Sequence, residues 1–556
     1  MTNEEFKKTL WDTANKLRGS VSAAEYKHPV LGLVFLKYVS DMFAAQAQVI
    51  RHRIAEPSSE YYIDDPAVRE ESAEAFTGDK TFYDQDNVFW VPPSARFDTL
   101  LDQATAPDLA QKLDRAMGDI EAENPTLKGV LYREFSRLAL EPGKLGELMG
   151  LVARLNFDPG KHGSRDVFGE VYEYFLGQFA MNEGAKAGEF YTPKSVVNLL
   201  VEILAPFKGR IYDPACGSGG MFVQSAKFKD AHQKTLGKKG DLAIYGQELM
   251  ASTRRLCLMN LAVHGLDGNI GQSYGSSFTN DQHKTLRADY ILANPPFNIS
   301  DWDGDKLTDD PRWVYGIPPK GNANFAWLQH MLARLSSRGR AGTVLANGSM
   351  SSQQSGEGDI RRAMVQADVV ECMIAMPGQL FSNTQIPACL WFLSKDKKPG
   401  GNGRIDRSGQ ILFIDARKSA SGRISRTQVE FTDDDLARIA QTYHRWRGTD
   451  FALPPLPSEE GRGEGPANAD SPNTNETPAY EDIPGFCYSA RIEEVEKQNF
   501  VLTPGRYVGA VVEDDDDEAF AEKMERLTAQ LAEQMAKGAE LDAVIREKLG
   551  ALGYEV

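Results

Sequence analysis

Cysteine is scarce in this chain and poorly placed for structural chemistry. The five residues, Cys216, Cys257, Cys372, Cys389 and Cys487, are odd in number, scattered and never spaced as Cys-x-x-Cys. That excludes a disulfide framework and argues against a zinc site. The eight histidines are dispersed too, so no metal is expected. No uninterrupted apolar run reaches the roughly 20 residues needed to cross a bilayer. The opening stretch, MTNEEFKKTLWDTANKLRG, has no apolar segment followed by a cleavage site. The expectation is a cytoplasmic protein without a membrane partner. Basic residues are outnumbered, 62 Lys and Arg against 79 Asp and Glu, for a formal charge of −17. Affinity for a polyanion comes largely from cations that displace counterions. If DNA is the substrate, a partner must supply much of the grip.

With 556 residues, 41% of them hydrophobic and 25% charged, the chain is an ordinary globular composition too long for one core, and domain sizes suggest roughly three. Residues 1–165 carry apolar positions at three- and four-residue spacing, as in VLGLVFLKYVSDMFAAQAQVI, and read as a helical N-terminal domain. Across 166–420 short β-branched or aromatic runs (IYDPAC, LAIYGQE, YILANPP, AGTVLANG, ECMIAMPG, ACLWFLSK) alternate with helix-length segments. That alternation implies an α/β fold with a doubly wound, mostly parallel sheet. A helical extension at 421–453 precedes a Pro-, Gly- and acid-rich stretch at 454–482, which reads as a disordered linker. Residues 483–556 form a C-terminal segment ending in a helical tail. There Phe520, Met524, Leu527, Leu531, Leu541, Ile545 and Leu549 share one face behind the acidic run from Glu513 to Glu518.

Two motifs carry the chemistry. In GRIYDPACGSGGMF an apolar strand ends at Asp213, and Gly217, Ser218, Gly219 and Gly220 form a turn whose backbone can approach a ligand. The turn is not a phosphate-binding Walker loop, because the lysine that should follow its glycines is missing. The next strand, LAIYGQE, ends at Glu248, the position where doubly wound folds place a carboxylate on ribose hydroxyls. It lies 35 residues after Asp213, farther than the roughly 20 usual, and a surface carboxylate is the plain alternative.

The second motif is ILANPPF, a buried strand that runs into Asn294, Pro295, Pro296 and Phe297. An exocyclic amine on a nucleobase is a weak nucleophile because its lone pair is delocalised into the ring. The Asn294 side-chain oxygen and the Pro295 carbonyl can each accept one N–H and favour a tetrahedral nitrogen whose lone pair faces an electrophile. Pro296 stiffens the loop, and Phe297 offers a face for a flipped base. Cys216 lies inside the turn with no basic partner, so a packed side chain is expected there rather than a nucleophile. His264 and His330 lie in helical patterns and read as packing or surface residues.

DPACGSGG followed by NPPF resembles the γ-type amino methyltransferases of DNA. Over the whole chain the sequence is similar to the modification subunits of type I restriction-modification systems. The supporting stretches are LRGSVSAAEYKHPVLGLVFLKYVSD, GEFYTP, GTVLANGSMSSQQSGEGDIRR, MPGQLFSNTQIPACLWFL and FVLTPGRYVG. The resemblance implies a Rossmann-like class I fold that uses S-adenosylmethionine to methylate N6 of adenine in double-stranded DNA. It implies further that Glu189, Phe190, Tyr191, Thr192, Pro193 and Lys194 fold over the methionine part of the cofactor. Asp213 and Gly217 to Gly220 would lie beneath the methionine and ribose, Glu248 would hold the ribose, and Asn294 to Phe297 would form the catalytic loop. For the cofactor adenine, Ser276, Ser277 and Asp281 stand as equal candidates. The partners implied are a specificity subunit, a second modification subunit and a restriction subunit; the apolar stripe from Phe520 to Leu549 is the candidate docking element, with packing back onto the chain's own domain as the alternative. Two rival readings are a methyltransferase of protein glutamine, which an Asn-Pro-Pro-aromatic loop would serve equally well, and an idle scaffold subunit.

Overall fold

Alternating burial along each strand builds two cores, one on either face of a single sheet. In the computed structural model, residues 23–86, 88–138, 143–155, 157, 174–175, 192–236, 240–381, 387–400, 403, 405–424, 428–449 and 479–509 are described, together with 528, 532, 534–537 and 541. Among them nine strands join: β1 (Gly209–Asp213), β2 (Leu242–Gly246), β3 (Gly268–Asn269), β4 (Ala288–Ala293), β5 (Leu335–Ala346), β6 (Val370–Ala375), β7 (Ala388–Ser394), β8 (Gln410–Asp415) and β9 (Cys487–Arg491). Their order is β9-β8-β6-β7-β5-β4-β1-β2-β3. Strands β3, β2, β1, β4 and β5 are mutually parallel, β7 runs antiparallel between β5 and β6, and β9 pairs antiparallel with β8.

Leu390, Phe392, Leu412 and Ile414 enter one core, whereas Cys389, Trp391, Leu393, Ile411 and Phe413 enter the other. This period of two places each helix on a defined face. On the first face lie α3 (Lys194–Leu204), α4 (Gly220–Leu236), α5 (Ala251–Val263) and α8 (Asp433–Arg447). On the second lie α6 (Asn324–Arg334) and α7 (Glu357–Gln366). The doubly wound, mostly parallel sheet expected from the alternation is therefore what forms.

The N-terminal part is helical as expected. Its long helix α1 (Ala23–Ala55) buries Val30, Leu33, Val34, Phe35 and Ile54 among shorter helices. Residues His28–Ala55 are long and apolar enough to span a membrane by composition alone, yet 67% of that apolar window is buried inside the domain. In α2 (Leu109–Glu123), Leu109, Leu113, Met117 and Ile120 fall on one face and are buried, the spacing that a 3.6-residue repeat requires. Helix α5 is shared between the two parts: Leu256, Met259 and Val263 join the N-terminal core, while Cys257 and Leu261 join the sheet core. An ion pair between Arg255 and Glu134 (3.7 Å) spans the same seam.

Residues beyond 420 take part in the sheet and its core. Helix α8 packs on α3 and buries Tyr443 and Trp446 in the sheet core, and β9 extends the sheet. The sheet's own part thus continues to Val508, and residues 509–556 form a separate compact unit. The physical reason is that a strand's partner can lie far away in sequence, whereas periodicity reports only local order. In the C-terminal unit Leu541 is exposed. Phe520, Met524, Leu527, Leu531, Ile545 and Leu549, the acidic run and residues 454–478 of the expected linker lie outside the described residues.

Candidate active site

The strand order reverses direction at the β1–β4 pair, since the chain runs outward through β2 and β3 on one side and through β4 and β5 on the other. Ligands of open α/β sheets bind beyond the carboxyl ends of the strands at such a point. Ile211 faces Tyr290 and Tyr212 faces Ile291 across that pair, so the Asp213–Gly220 turn and the Asn294–Phe297 loop leave the sheet side by side. The two motifs, about 80 residues apart in sequence, are brought together by the register alone.

The glycine-rich turn is braced from several directions. Asp213 Oδ1 accepts the Ala215 N–H (2.9 Å), and Asn260 Nδ2 donates to the Ser218 carbonyl (2.9 Å). Gly217 has φ +53°, with nothing near the position a Cβ would take. At Gly219, φ +83°, a Cβ would stand 2.9 Å from Cys257 Sγ. The first glycine keeps a surface clear and the second lets the turn press onto α5. Asp213 is 2% exposed, and burial, with Glu248 nearby adding like charge, pushes its carboxyl up to about 8.

Glu248 meets this turn directly. Its Oε2 accepts the Gly217 N–H (3.0 Å) and its Oε1 the Met250 N–H (3.0 Å). The carboxylate thus ties the end of β2 to the turn after β1. The neighbouring Gln247, fully buried, was not singled out from sequence; its Nε2 donates to the Gly275 and Asn280 carbonyls (3.0 and 2.8 Å) and fastens the 273–282 loop. A polar residue paired with an acid at a strand end was the available signal. Arg312 was missed as well. It donates to the Ser277 and Phe278 carbonyls (2.9 and 2.6 Å) and pairs with Asp310 (2.7 Å); nothing local in DDPRWVYG marks it.

Of the three candidates for the cofactor adenine, Ser277 Oγ already donates to the Pro214 carbonyl (2.5 Å), and Asp281 is ion-paired with Arg334. Ser276 Oγ accepts the Phe278 N–H (3.2 Å), which leaves its own proton to donate. His330 is a packed residue. It bonds Tyr212 Oη (3.1 Å) and accepts from Arg312 (2.9 Å), and burial lowers its ring to about 3. The Cys257 thiol beside Cys216, together with burial, raises the Cys216 thiol well above its ordinary range, which leaves no thiolate at the turn.

In the Asn294–Phe297 loop, Asn294 Nδ2 donates to Thr192 Oγ1 (2.7 Å), while the buried Oδ1 has no hydrogen-bond partner among the described residues. A buried acceptor without a partner is costly, about 1–3 kcal/mol, and it is relieved by any ligand that brings an N–H. Phe297 is 8% exposed and packs edge-on against Phe381 (6.1 Å, 80°). Beyond the loop, Asn298 N–H donates to Asn324 Oδ1 (3.1 Å) and Asn324 Nδ2 to Asn298 Oδ1 (2.7 Å), which pins the loop to the start of α6. Pro193 caps α3 and Lys194 opens it. Lys194 lines a cavity of about 330 Å³ with Gln224, Lys227, Glu202 and Asp433, a set that contains none of the catalytic-loop residues. Glu189, Phe190 and Tyr191 lie outside the described residues.

These features suit a nucleoside-bearing cofactor: a turn with open space over Gly217, a carboxylate at the end of β2, and a neutral acceptor across the switch point. Comparison with known proteins gives the family. Residues 163–516 match the family described as N-6 DNA Methylase, and residues 6–152 match the HsdM N-terminal domain. The chain is 47% identical over 454 residues to the Type I restriction enzyme HindI methylase subunit of Haemophilus influenzae, covering 80% of this chain and 93% of that one. It is 34% identical over 557 residues to the Type I restriction enzyme MjaIX methylase subunit of Methanocaldococcus jannaschii, covering 99% and 92%. Among solved structures, the type I restriction-modification methyltransferase subunit from Streptococcus thermophilus superposes with a TM-score of 0.68 at 25% identity, covering 91% of this chain and 100% of that one.

Proposed function

This chain belongs to the methylase subunits of type I restriction-modification systems, and we propose from that premise that it transfers a methyl group from S-adenosylmethionine to N6 of an adenine flipped out of duplex DNA. The match to the N-6 DNA Methylase family supports adenine over a protein amide, and the observation that carries transfer to an amine is the lone Oδ1 of Asn294, a buried neutral acceptor. Together with the Pro295 carbonyl it would accept both N–H groups of an exocyclic amine and orient the nitrogen lone pair toward the methyl group. Neutral oxygens suffice, because the amine need not lose a proton before it attacks.

Asp213, Gly217 to Gly220 and Glu248 would hold the cofactor, with Thr192, Pro193 and Lys194 at its methionine end. When bound, S-adenosylmethionine supplies the electrophilic methyl carbon. Glu248 would accept from ribose hydroxyls while Gly217, with no side chain over the turn, lets the backbone approach the sugar. Phe297, its ring plane set by Phe381, would line the face against which the base lies.

Choice of DNA site belongs to a specificity subunit in this reading, with a second modification subunit and a restriction subunit completing the assembly in the cytoplasm. The negative formal charge, −17, supports this division, because a lone chain of that charge has little to displace counterions with. Tritiated S-adenosylmethionine incubated with duplex DNA, with and without the specificity subunit, tests the reading. Labelled N6-methyladenine is expected only when the specificity subunit is present. Label on protein, or on cytosine, would overturn it.

A further inference from the structure

Thr192 and Asn294 lie 102 residues apart in sequence and meet at a single hydrogen bond, 2.7 Å from Nδ2 to Oγ1. A side-chain amide can present either its oxygen or its NH2 to the substrate, and the two faces have opposite consequences. With Oδ1 inward the amide accepts an N–H of the target amine. With Nδ2 inward, N–H confronts N–H and the pocket repels its substrate.

Thr192 supplies a fixed partner for one arm of the amide, which holds its plane and leaves the other arm for the substrate. The residue before a proline is held out of the helical region, and Pro193 begins the first turn of α3 by accepting the Val196 and Val197 N–H groups (2.9 and 3.1 Å). The body of that helix, from Val196 to Leu204, is anchored in the sheet core by Val196, Leu199, Leu200, Ile203 and Leu204. The hydroxyl is therefore presented from a rigid element, and Asn294 itself follows a fully buried strand end, Ile291 to Ala293. Neither partner needs to move for the bond to persist.

We propose that Thr192 is a positioning residue for methyl transfer: its hydroxyl accepts from Nδ2 of Asn294 and so holds the plane of the amide whose Oδ1 is left for the incoming amine. The inference rests on the reading of Asn294 as an acceptor, and it gives the segment beside the cofactor a second task in setting up the nucleophile. Thr192 acts through Asn294 and forms no bond to the reacting atoms.

The test uses the isosteric pair Thr192→Val and Thr192→Ser in the complex with the specificity subunit. Valine keeps the shape and removes the hydroxyl, whereas serine keeps the hydroxyl and removes a methyl. A residue needed only for packing would tolerate valine better; a positioning hydroxyl tolerates serine better. Single-turnover transfer at saturating cofactor and DNA is expected to fall at least about tenfold in Thr192→Val, the loss of roughly one hydrogen bond's worth of orientation. Thr192→Ser should stay within about threefold of the parent; because Thr192 also lies at the methionine end of the proposed cofactor site, cofactor Kd is measured for each variant and transfer is compared only at saturation. Valine at parental rate, or serine as impaired as valine, would overturn the proposal. Asn294→Ala measured alongside separates the two ideas. Transfer surviving in Asn294→Ala defeats the acceptor reading itself, while a silent Asn294→Ala with a fully active Thr192→Val defeats only the role of Thr192.

Discussion

Glu248 holds the turn and, in the proposed reading, also takes the ribose, and this double engagement makes it an informative single side chain. Its carboxylate accepts two backbone N–H groups, from Gly217 and Met250, and hydrogen bonds to charged groups are worth about 1.5–3 kcal/mol each. Glu248→Ala removes the ribose acceptor and loosens the glycine turn together. Cofactor Kd is expected to rise about ten- to hundredfold, with a smaller fall in the transfer rate once the cofactor is saturating. Isothermal calorimetry and single-turnover assays would separate the two effects. An unchanged Kd would show that the carboxylate serves only the fold.

Among the secondary-structure elements, α8 and β9 show where reading the sequence stopped short. Helix α8 was visible locally: Thr432 and Asp435 form a reciprocal capping box, three aspartates fill the first turn, and His444, Arg445 and Arg447 fill the last. Its destination was not visible. Trp446 is fully buried, and its Nε1 donates to Ser489 Oγ (2.8 Å) on β9, 43 residues away. In the same way DPACGSGG and NPPF could be read because each motif is contiguous, and the alternating strands announced the sheet. The bond from Thr192 to Asn294 and the grip of Arg312 on the 277–278 backbone join distant residues with no local pattern. Trp446→Ala leaves a large hole at the α8–β9 junction, and a loss of about 3–5 kcal/mol is expected. Denaturant unfolding and faster proteolysis near residues 479–491 would report it. Trp446→Phe, which sacrifices mainly the indole bond, should lose far less.

For the molecule as a whole, two buried acids contribute to how stability responds to pH. Glu202 on α3 is 6% exposed, its Oε1 without a partner among the described residues, and burial, then the charge of Asp433, pushes it up to about 8. Asp213 is raised to about 8 as well. Both are neutral in the folded chain and ionise near their ordinary values, about 4, when it unfolds. Their stabilisation is therefore full below about pH 4 and is lost as pH rises toward 8. Glu202→Gln stays neutral throughout. It is expected to melt at least about 2 °C above the parent at pH 8 and close to it at pH 5, by calorimetry of the cofactor-free chain; the same difference at both pH values would refute the assignment.

Because β9 returns to complete the sheet, the interval between α8 and β9 has both ends moored in one core. Thr449 is held by His444 at one end (2.8 Å), and the Tyr480 ring lies under Arg407 at the other (5.9 Å). Closing such an interval costs free energy that grows only with the logarithm of its length, about 0.6 kcal/mol for each doubling. Extra residues, a fluorescent reporter or an affinity handle among them, placed between those two moored ends are therefore expected to leave the contacts of Thr449 and Tyr480 in place.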